Sequence, residues 1–142
     1  MSKTTTPNLE DLARHAVEQY NKKNYDVFDE AFAEDEIDHG PAGETRGPEG
    51  PREGLKTLHT AFPDLEITID ELISEGDTVA IRSTQRGTHE GEFMGIEPTG
   101  KQIEIENMVF AHFEDGKVVE RWIQSDRLGL MEQLGDVDPL GE

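Results

Sequence analysis

A histidine and an aspartate near the C-terminal end of the chain could form an acid–base pair. His112 and Asp126 lie on either side of the turn sequence Glu114-Asp115-Gly116. A type I turn closed by a left-handed glycine makes a three-residue hairpin loop, which would set His112 opposite Val118. A two-residue loop would shift the pairing by one residue and separate His112 from Asp126. The sequence favours the three-residue loop, and the predicted site depends on it.

Strand periodicity then gathers further side chains on the same sheet face, since successive residues of a strand alternate between faces. The predicted set is Met108, Phe110, His112, Trp122, Gln124 and Asp126. Aromatic walls with a few polar groups are typical of ligand pockets. An exposed aspartate is a poor base at neutral pH, but apolar surroundings would raise the pKa of Asp126 toward the working range. Alternatively, Asp126 caps a helix that begins near Leu128, and both roles can coexist.

Four other residues are candidates for contact with a ligand. Arg82 lies in the middle of a predicted strand, where it could hold a substrate oxygen or pair with one of the many acids. His89 and Phe93 are expected at the rim of the pocket. Phe93 lies in a predicted loop over 91–100, and His89 lies just before that loop. His39 follows Asp38 in a stretch rich in glycine and proline, where it is either a solvated loop residue or a pocket contact.

Several kinds of site have no support in the sequence. The chain has no cysteine, and its five histidines show neither His-x-His nor His-x-x-x-His spacing. Glycine-rich phosphate loops and the Gly-x-Ser-x-Gly motif of serine hydrolases are also missing from the sequence. We therefore expect neither a metal nor a cofactor.

The charge of the chain restricts its partners. Among 142 residues, 32 are Asp or Glu and 13 are Lys or Arg, which gives a net charge of -19. Such a surface repels nucleic acids and anionic membranes. No apolar run approaches the ~20 residues of a membrane span, and the N-terminus lacks a secretory signal, so a cytoplasmic location is expected. The acidic residues indicate either disorder or adaptation to high salt, and the strict apolar periodicity favours a folded, salt-adapted domain.

The periodicity predicts one α+β domain over residues 1–142, with loose tails at 1–7 and 136–142. The predicted helices come first, followed by about four antiparallel strands and a closing helix. The helices are expected to cover one face of a strongly curved sheet and to leave a cavity. Val109, Ala111 and Ile123 would then lie on the outer face, as a dimer interface or under a helix. The predicted elements are helices over 8–21, 25–33 and 49–62, a loop over 35–50, strands near 65–69, 79–90, 101–114 and 117–126, and a helix over 128–134.

Four stretches resemble a known family over about residues 9–135. The chain is similar to the SnoaL-like polyketide cyclases, also called predicted ester cyclases, of the NTF2-like superfamily. The resemblance implies a cone-shaped α+β fold with a deep pocket, assembled as a homodimer or homotetramer. The matching stretches are AFPDL at 61–65, EGDTV at 75–79, GTH at 87–89 with PTGK at 98–101, and DGKVVERW at 115–122 followed by DRLGL at 126–130 and QLG at 133–135.

The resemblance also implies a chemistry. Cyclases of this family close a ring by an intramolecular aldol reaction without a metal or cofactor, using an aspartate and a histidine that match Asp126 and His112. The sequence therefore predicts a cofactor-independent enzyme of the aldol-cyclase or isomerase type that acts on a small hydrophobic carbonyl compound. Two alternatives stay open: a module that binds a small molecule without catalysis, and a dimerisation module whose own side chains fill the cavity.

Overall fold

Four helices and six strands form the part of the chain that the computed structural model describes, residues 8–41 and 43–135. The predicted tails at 1–7 and 136–142 lie outside these residues. In chain order the elements are α1 (Leu9–Asn21), α2 (Val27–Ala31), β1 (Phe32–Gly40), β2 (Gly43–Arg46), α3 (Glu49–Ala61), β3 (Glu66–Glu75), β4 (Thr78–Thr88), β5 (Gln102–Glu114), β6 (Lys117–Ser125) and α4 (Arg127–Leu134).

The six strands form one curved, mixed sheet in the order β2-β1-β6-β5-β4-β3. Every neighbouring pair is antiparallel except β1 and β6, which run parallel. The prediction of an α+β fold with a mostly antiparallel sheet is confirmed. The order of elements differs from the prediction, because β1 and β2 occupy most of the stretch read as a loop over 35–50. The acidic sequence of β1 shows no alternation, and its partner β6 lies some 80 residues further along the chain.

Helix ends follow local signals in the sequence. The side chain of Asn8 accepts a hydrogen bond from the backbone N–H of Glu10 at 2.7 Å and caps α1. At the other end of the chain, Gly135 adopts a left-handed conformation with φ 85° and ends α4. The apolar sides of α1 and α3 face the sheet, so the hydrophobic core lies between the helices and one sheet face.

The β5–β6 hairpin is closed by a two-residue turn, so the predicted three-residue loop is wrong. Glu114 pairs with Lys117, and both Asp115 and Gly116 have positive φ, at 52° and 79°. Positive φ at both central residues defines the type I′ turn, for which Asp-Gly is a favoured sequence. A bulge between His112 and Phe113 then adds one residue on β6. This extra residue puts His112 and Trp122 back on the same face of the sheet. The five predicted strand residues therefore share one face, in register pairs that differ from the predicted ones.

That shared face is the outer face of the sheet, away from the helices. Phe110 is 56% exposed and Met108 is 54% exposed, whereas their neighbours Asn107 and Ala111 are buried. The prediction that Val109, Ala111 and Ile123 lie outside is wrong, because these residues face the helices. The distribution of charged residues between the two faces of β5 explains which face is exposed. The residues that share a face with Met108 and Phe110 include Gln102, Glu104, Glu106 and Glu114, while the opposite face carries Ile103, Ile105 and Phe113.

Across residues 8–41 and 43–135, no helix has both the length and the apolar character needed to cross a bilayer.

Candidate active site

A large cavity lies between the helices and the inner face of the sheet. Its volume is about 640 Å³, and its walls are mostly aliphatic and aromatic. Helix α1 contributes residues at helical spacing, and the strands contribute every second residue, so the same periodicities that build the core also line the cavity. The apolar walls include Leu12, Ala16, Leu55, Leu58, Val109 and Ile123.

A row of small polar side chains crosses the cavity face of three strands. Ser83 on β4 pairs in register with Asn107 on β5, which pairs with Ser125 on β6, and all three line the cavity. Asn107 is buried, and its Oδ1 atom has no hydrogen-bond partner among the described residues. Leaving a buried carbonyl oxygen unpaired costs free energy. This oxygen is therefore available to a donor group of a bound ligand.

An ion pair between β1 and β6 also borders the cavity. Asp38 lies directly opposite Arg121 in the parallel register. The Nε and Nη2 atoms of Arg121 donate to the two carboxylate oxygens of Asp38 at 2.8 and 3.0 Å. Both residues line the cavity, and the guanidinium lies 5.0 Å from the ring centre of Phe32. Bidentate pairs of this kind are strong and directional.

The ion pair fixes the charge state of both partners. Burial acts to raise the pKa of Asp38, but the hydrogen bonds and positive charge of Arg121 outweigh it and lower that pKa below its ordinary value. Burial acts to lower the pKa of Arg121, and the hydrogen bonds of Asp38 outweigh it in turn and raise the pKa. The carboxylate and the guanidinium are therefore both charged at neutral pH.

A second carboxyl group lies on the same side of β1. Glu36 is fully buried, and neither of its carboxyl oxygens makes a hydrogen bond among the described residues. Burial raises the pKa of Glu36 to about 9, and the negative charge of Asp38 contributes to the rise. Glu36 is therefore neutral at pH 7, while Asp38 two residues further on is ionised.

Only one of the predicted site residues lines this cavity. Phe93 does so from the loop after β4, and its ring packs 5.6 Å from that of Phe62. His89 is fully buried beside Phe62 instead of lying at the rim. Its Nδ1 accepts a hydrogen bond from the backbone N–H of Thr99 at 3.1 Å, so the ring holds the 91–100 loop in place.

The other predicted pocket residues lie on the outer face. His112 packs edge-on against Trp122 with ring centres 5.0 Å apart, and the His39 ring stacks on Trp122 at 5.1 Å. Nε2 of His39 lies 2.8 Å from Glu120, and Arg82 pairs with Glu71 and Glu106. The residues concerned are His39, Arg82, Met108, Phe110, His112, Trp122 and Gln124, and none of them lines the cavity.

Asp126 caps α4. Its Oδ1 accepts a hydrogen bond from the backbone N–H of Gly129 at 2.9 Å, and its side chain borders a shallow groove on the outer face. Its backbone N–H bonds to Glu106, six residues from His112 along β5, which corresponds to roughly 20 Å. The structure therefore does not bring Asp126 and His112 together, because the helix cap holds the aspartate at the far end of the hairpin. A catalytic role for either residue stays a prediction.

Sequence reasoning missed the polar groups that do face the cavity. Asp38 and Arg121 line the cavity but were not among the predicted site residues, and Asp38 lies with its buried neighbour Glu36 in the stretch predicted as a loop over 35–50. The charge pattern along β5 could have revealed the correct face. Across the two described ranges, no three His, Asp or Glu side chains are grouped so that they could hold a metal ion.

Comparison with known proteins identifies the class to which this fold and cavity belong. The family model of the SnoaL-like polyketide cyclases matches residues 10–134. The chain therefore belongs to the SnoaL-like polyketide cyclase family. Among solved structures, AclR from Streptomyces galilaeus superposes with a TM-score of 0.85 at 28% identity, over 94% of this chain and 89% of that one. The NTF2-like fold that the resemblance implied is confirmed.

Individual relatives are also similar along most of the chain. The aklanonic acid methyl ester cyclase DnrD of Streptomyces peucetius is 32% identical over 93% of this chain and 94% of its own length. The cyclase DauD of Streptomyces sp. strain C5, which bears the same activity name, is 30% identical over 93% of this chain and 84% of its own. The structure of IdmH from Streptomyces antibioticus has a TM-score of 0.82 at 32% identity, over 91% of this chain and 99% of that one.

Proposed function

We propose that this protein is a cofactor-independent cyclase that closes a ring in a small hydrophobic carbonyl compound bound in the cavity beneath the helices. The observation that carries the proposal is the cavity itself. It is large and mostly apolar, and it contains an unpartnered amide oxygen and a buried ion pair. The family and the activity name of the relatives support the same reaction class.

The proposed reaction is an intramolecular aldol addition or a related isomerisation. A base takes the proton from a carbon next to a carbonyl, and the electron pair of the broken C–H bond is delocalised onto oxygen as an enolate. The enolate carbon then bonds to a second carbonyl carbon, whose oxygen becomes an alkoxide and takes up a proton. No electrons are gained or lost overall. The protein must supply one group that accepts and returns a proton, and donors that stabilise the oxyanion.

Donors are present on the cavity walls. The hydroxyl groups of Ser83 and Ser125 lie on either side of Asn107, and the guanidinium of Arg121 supplies positive charge. Pre-oriented donors in a site that excludes water stabilise an oxyanion more strongly than water does.

Filling the cavity is expected to weaken ligand binding. Val109→Trp places an indole in the cavity from the central strand β5 and should weaken binding of aklanonic acid methyl ester by more than about tenfold, that is by over 1.4 kcal/mol. The matched control is Phe110→Trp, one residue along on the outer face. Calorimetric titration of both folded variants measures the difference. Equal affinities for the two variants would contradict binding in the cavity.

A non-catalytic binding role is the second candidate, and one observation favours it. The pKa of Asp38 is lowered by Arg121, and a carboxylate with a low pKa is a weak base. This function predicts that the protein binds aklanonic acid methyl ester tightly but does not convert it. The ester would then keep its chromatographic retention time after prolonged incubation with the protein.

We also propose that a second copy of the chain covers the outer face, which would give the homodimer that the family resemblance implies, alone or within a homotetramer. Ile73, Ala80, Phe110 and Trp122 lie in register across β3, β4, β5 and β6 and form an apolar row. Ile73 and Phe110 are 60% and 56% exposed in the single chain, and exposed apolar patches commonly mark interfaces. Adaptation to high salt remains an expectation from the net charge of -19, and the cytoplasmic location also stays a prediction.

Introducing a charge into this apolar row is expected to dissociate the dimer. Phe110→Glu should sediment as a monomer at concentrations where the unchanged protein and Phe110→Trp sediment as dimers. The experiment is best done in about 1 M salt, where repulsion between the acidic chains is screened. A monomeric unchanged protein, or a dimeric Phe110→Glu variant, would exclude this interface.

A further inference from the structure

We propose that Asp38 is the carboxylate that exchanges the proton with the substrate and that Arg121 positions it. This inference rests on the proposed function and assigns its acid–base group. It differs from the sequence prediction, which placed that role on Asp126.

Geometry selects Asp38 among the carboxylates. It lines the cavity while being almost fully buried, at 6% exposure. Each of its oxygens accepts one hydrogen bond from Arg121, and a carboxylate oxygen has a second lone pair that can accept a proton. By contrast, Asp126 uses its side chain to cap α4 and borders the outer groove.

The charges around Asp38 come from three elements. Glu36 and His39 lie on β1, Arg121 and Glu120 lie on β6, and Tyr20 reaches the cluster from α1. With Glu36 protonated, the charges of Asp38 and Arg121 balance, so the buried cluster of Glu36, Asp38 and Arg121 is neutral, while Glu120 pairs with His39. Burial opposes the ionisation of Glu36, and the adjacent Asp38 adds to that effect. The two carboxyl groups are thus held in different protonation states, which is the arrangement expected of an acid–base site.

The proton transfer preserves this charge balance. The substrate C–H bond breaks, its proton bonds to the second lone pair of an Asp38 carboxylate oxygen, and its electron pair becomes the enolate. At that moment Arg121 loses its carboxylate partner and is free to stabilise the enolate oxygen, so the negative charge moves from Asp38 to the substrate within the same cluster. After the carbon–carbon bond forms, Asp38 returns the proton to the new alkoxide. The low pKa of Asp38 is therefore compatible with catalysis, because Arg121 stabilises the charge in both positions.

The test compares variants in turnover of aklanonic acid methyl ester, followed by liquid chromatography and mass spectrometry as conversion to a product of equal mass. Asp38→Asn should lower kcat by about 100-fold or more, as expected for loss of a general acid–base group, while Kd from calorimetry changes less than about threefold. The matched control Asp35→Asn lies on the exposed side of the same strand and should keep kcat. Asp38→Glu retains the charge for Arg121 and tests the assignment if Asp38→Asn does not fold. Asp38→Glu should lower kcat and leave the pH dependence of kcat unchanged.

Different outcomes separate the two proposals. If the unchanged protein and Asp38→Asn both convert the ester at similar rates, Asp38 is not the proton carrier and the proposed function stands. Loss of turnover in Asp126→Asn together with full turnover in Asp38→Asn would return the role to Asp126. If the unchanged protein binds the ester without converting it, the proposed reaction and the role of Asp38 are both overturned.

Discussion

Replacing Glu36 by glutamine is expected to stabilise the protein by about 5 kcal/mol at pH 8 and by only about 1.4 kcal/mol at pH 5.5. The pKa of this carboxyl group is about 9 in the folded protein, against an ordinary value of 4.5. Between these values the folded state holds a proton that the unfolded state releases. The contribution of Glu36 to the free energy of unfolding is therefore complete below pH 4.5 and falls by about 1.4 kcal/mol per unit as the pH rises towards 9. Glutamine has the same shape and no proton to lose.

Urea unfolding of both proteins at several pH values between 5.5 and 8.5, in the same salt, measures this effect. The difference between the variant and the unchanged protein should grow steadily with pH. The control Glu34→Gln changes an exposed glutamate of the same strand and should show no such growth. A constant difference for Glu36→Gln would mean that Glu36 is ionised in the folded protein, and the neutral cluster around Asp38 would then be wrong.

Replacing Arg121 by methionine is expected to destabilise the protein by about 3–5 kcal/mol at pH 7, because it leaves the charge of Asp38 buried without a partner. Methionine preserves much of the packing against Phe32 and removes the positive charge. The double variant Arg121→Met with Asp38→Asn removes both charges and should recover a large part of the loss. A double-mutant cycle from urea unfolding gives the coupling energy between the two residues.

The same cycle can contradict the ion pair. If Arg121→Met costs less than about 1 kcal/mol, or if the double variant is no more stable than the single one, the two side chains do not form a buried pair. The pH dependence provides a further check. Without Arg121 the pKa of Asp38 should rise, so the single variant should lose less stability at pH 5 than at pH 8.

Local patterns in the sequence were sufficient to predict the helices and the hairpin strands. Asn8 precedes an amphipathic segment, and the structure has a helix from Leu9 to Asn21. Asp115-Gly116 marks the β5–β6 turn, although the residues on either side admit two loop lengths. The bulge that follows the turn could not be read from the sequence, and it is the feature that keeps Phe110 opposite Trp122.

The orientation of the sheet was predicted wrongly because both faces of β5 carry apolar residues. Large aromatic residues suggested an inner wall, yet Phe110 and Trp122 are among the more exposed apolar residues of the single chain. The covered face carries smaller aliphatic side chains, which leave room for a cavity against the helices.

The polar centre of the cavity depends on contacts that no local pattern reveals. Asp38 and Arg121 are 83 residues apart in sequence and meet only because β1 and β6 pair in parallel. Parallel pairing between strands so distant in the chain requires the whole fold. The burial of Glu36 follows from the same pairing, since its sequence surroundings are strongly acidic and resemble an exposed segment.

The most direct test of this account is to map where aklanonic acid methyl ester binds, by following backbone amide signals of the isotope-labelled protein in NMR titrations. If the ester binds in the cavity, the largest shifts should fall on cavity residues of β4, β5, β6 and β1, namely Ser83, Asn107, Ser125 and Asp38. Shifts concentrated on Phe110, His112 and Trp122, with the cavity residues unchanged, would place the ligand on the outer face and contradict binding in the cavity.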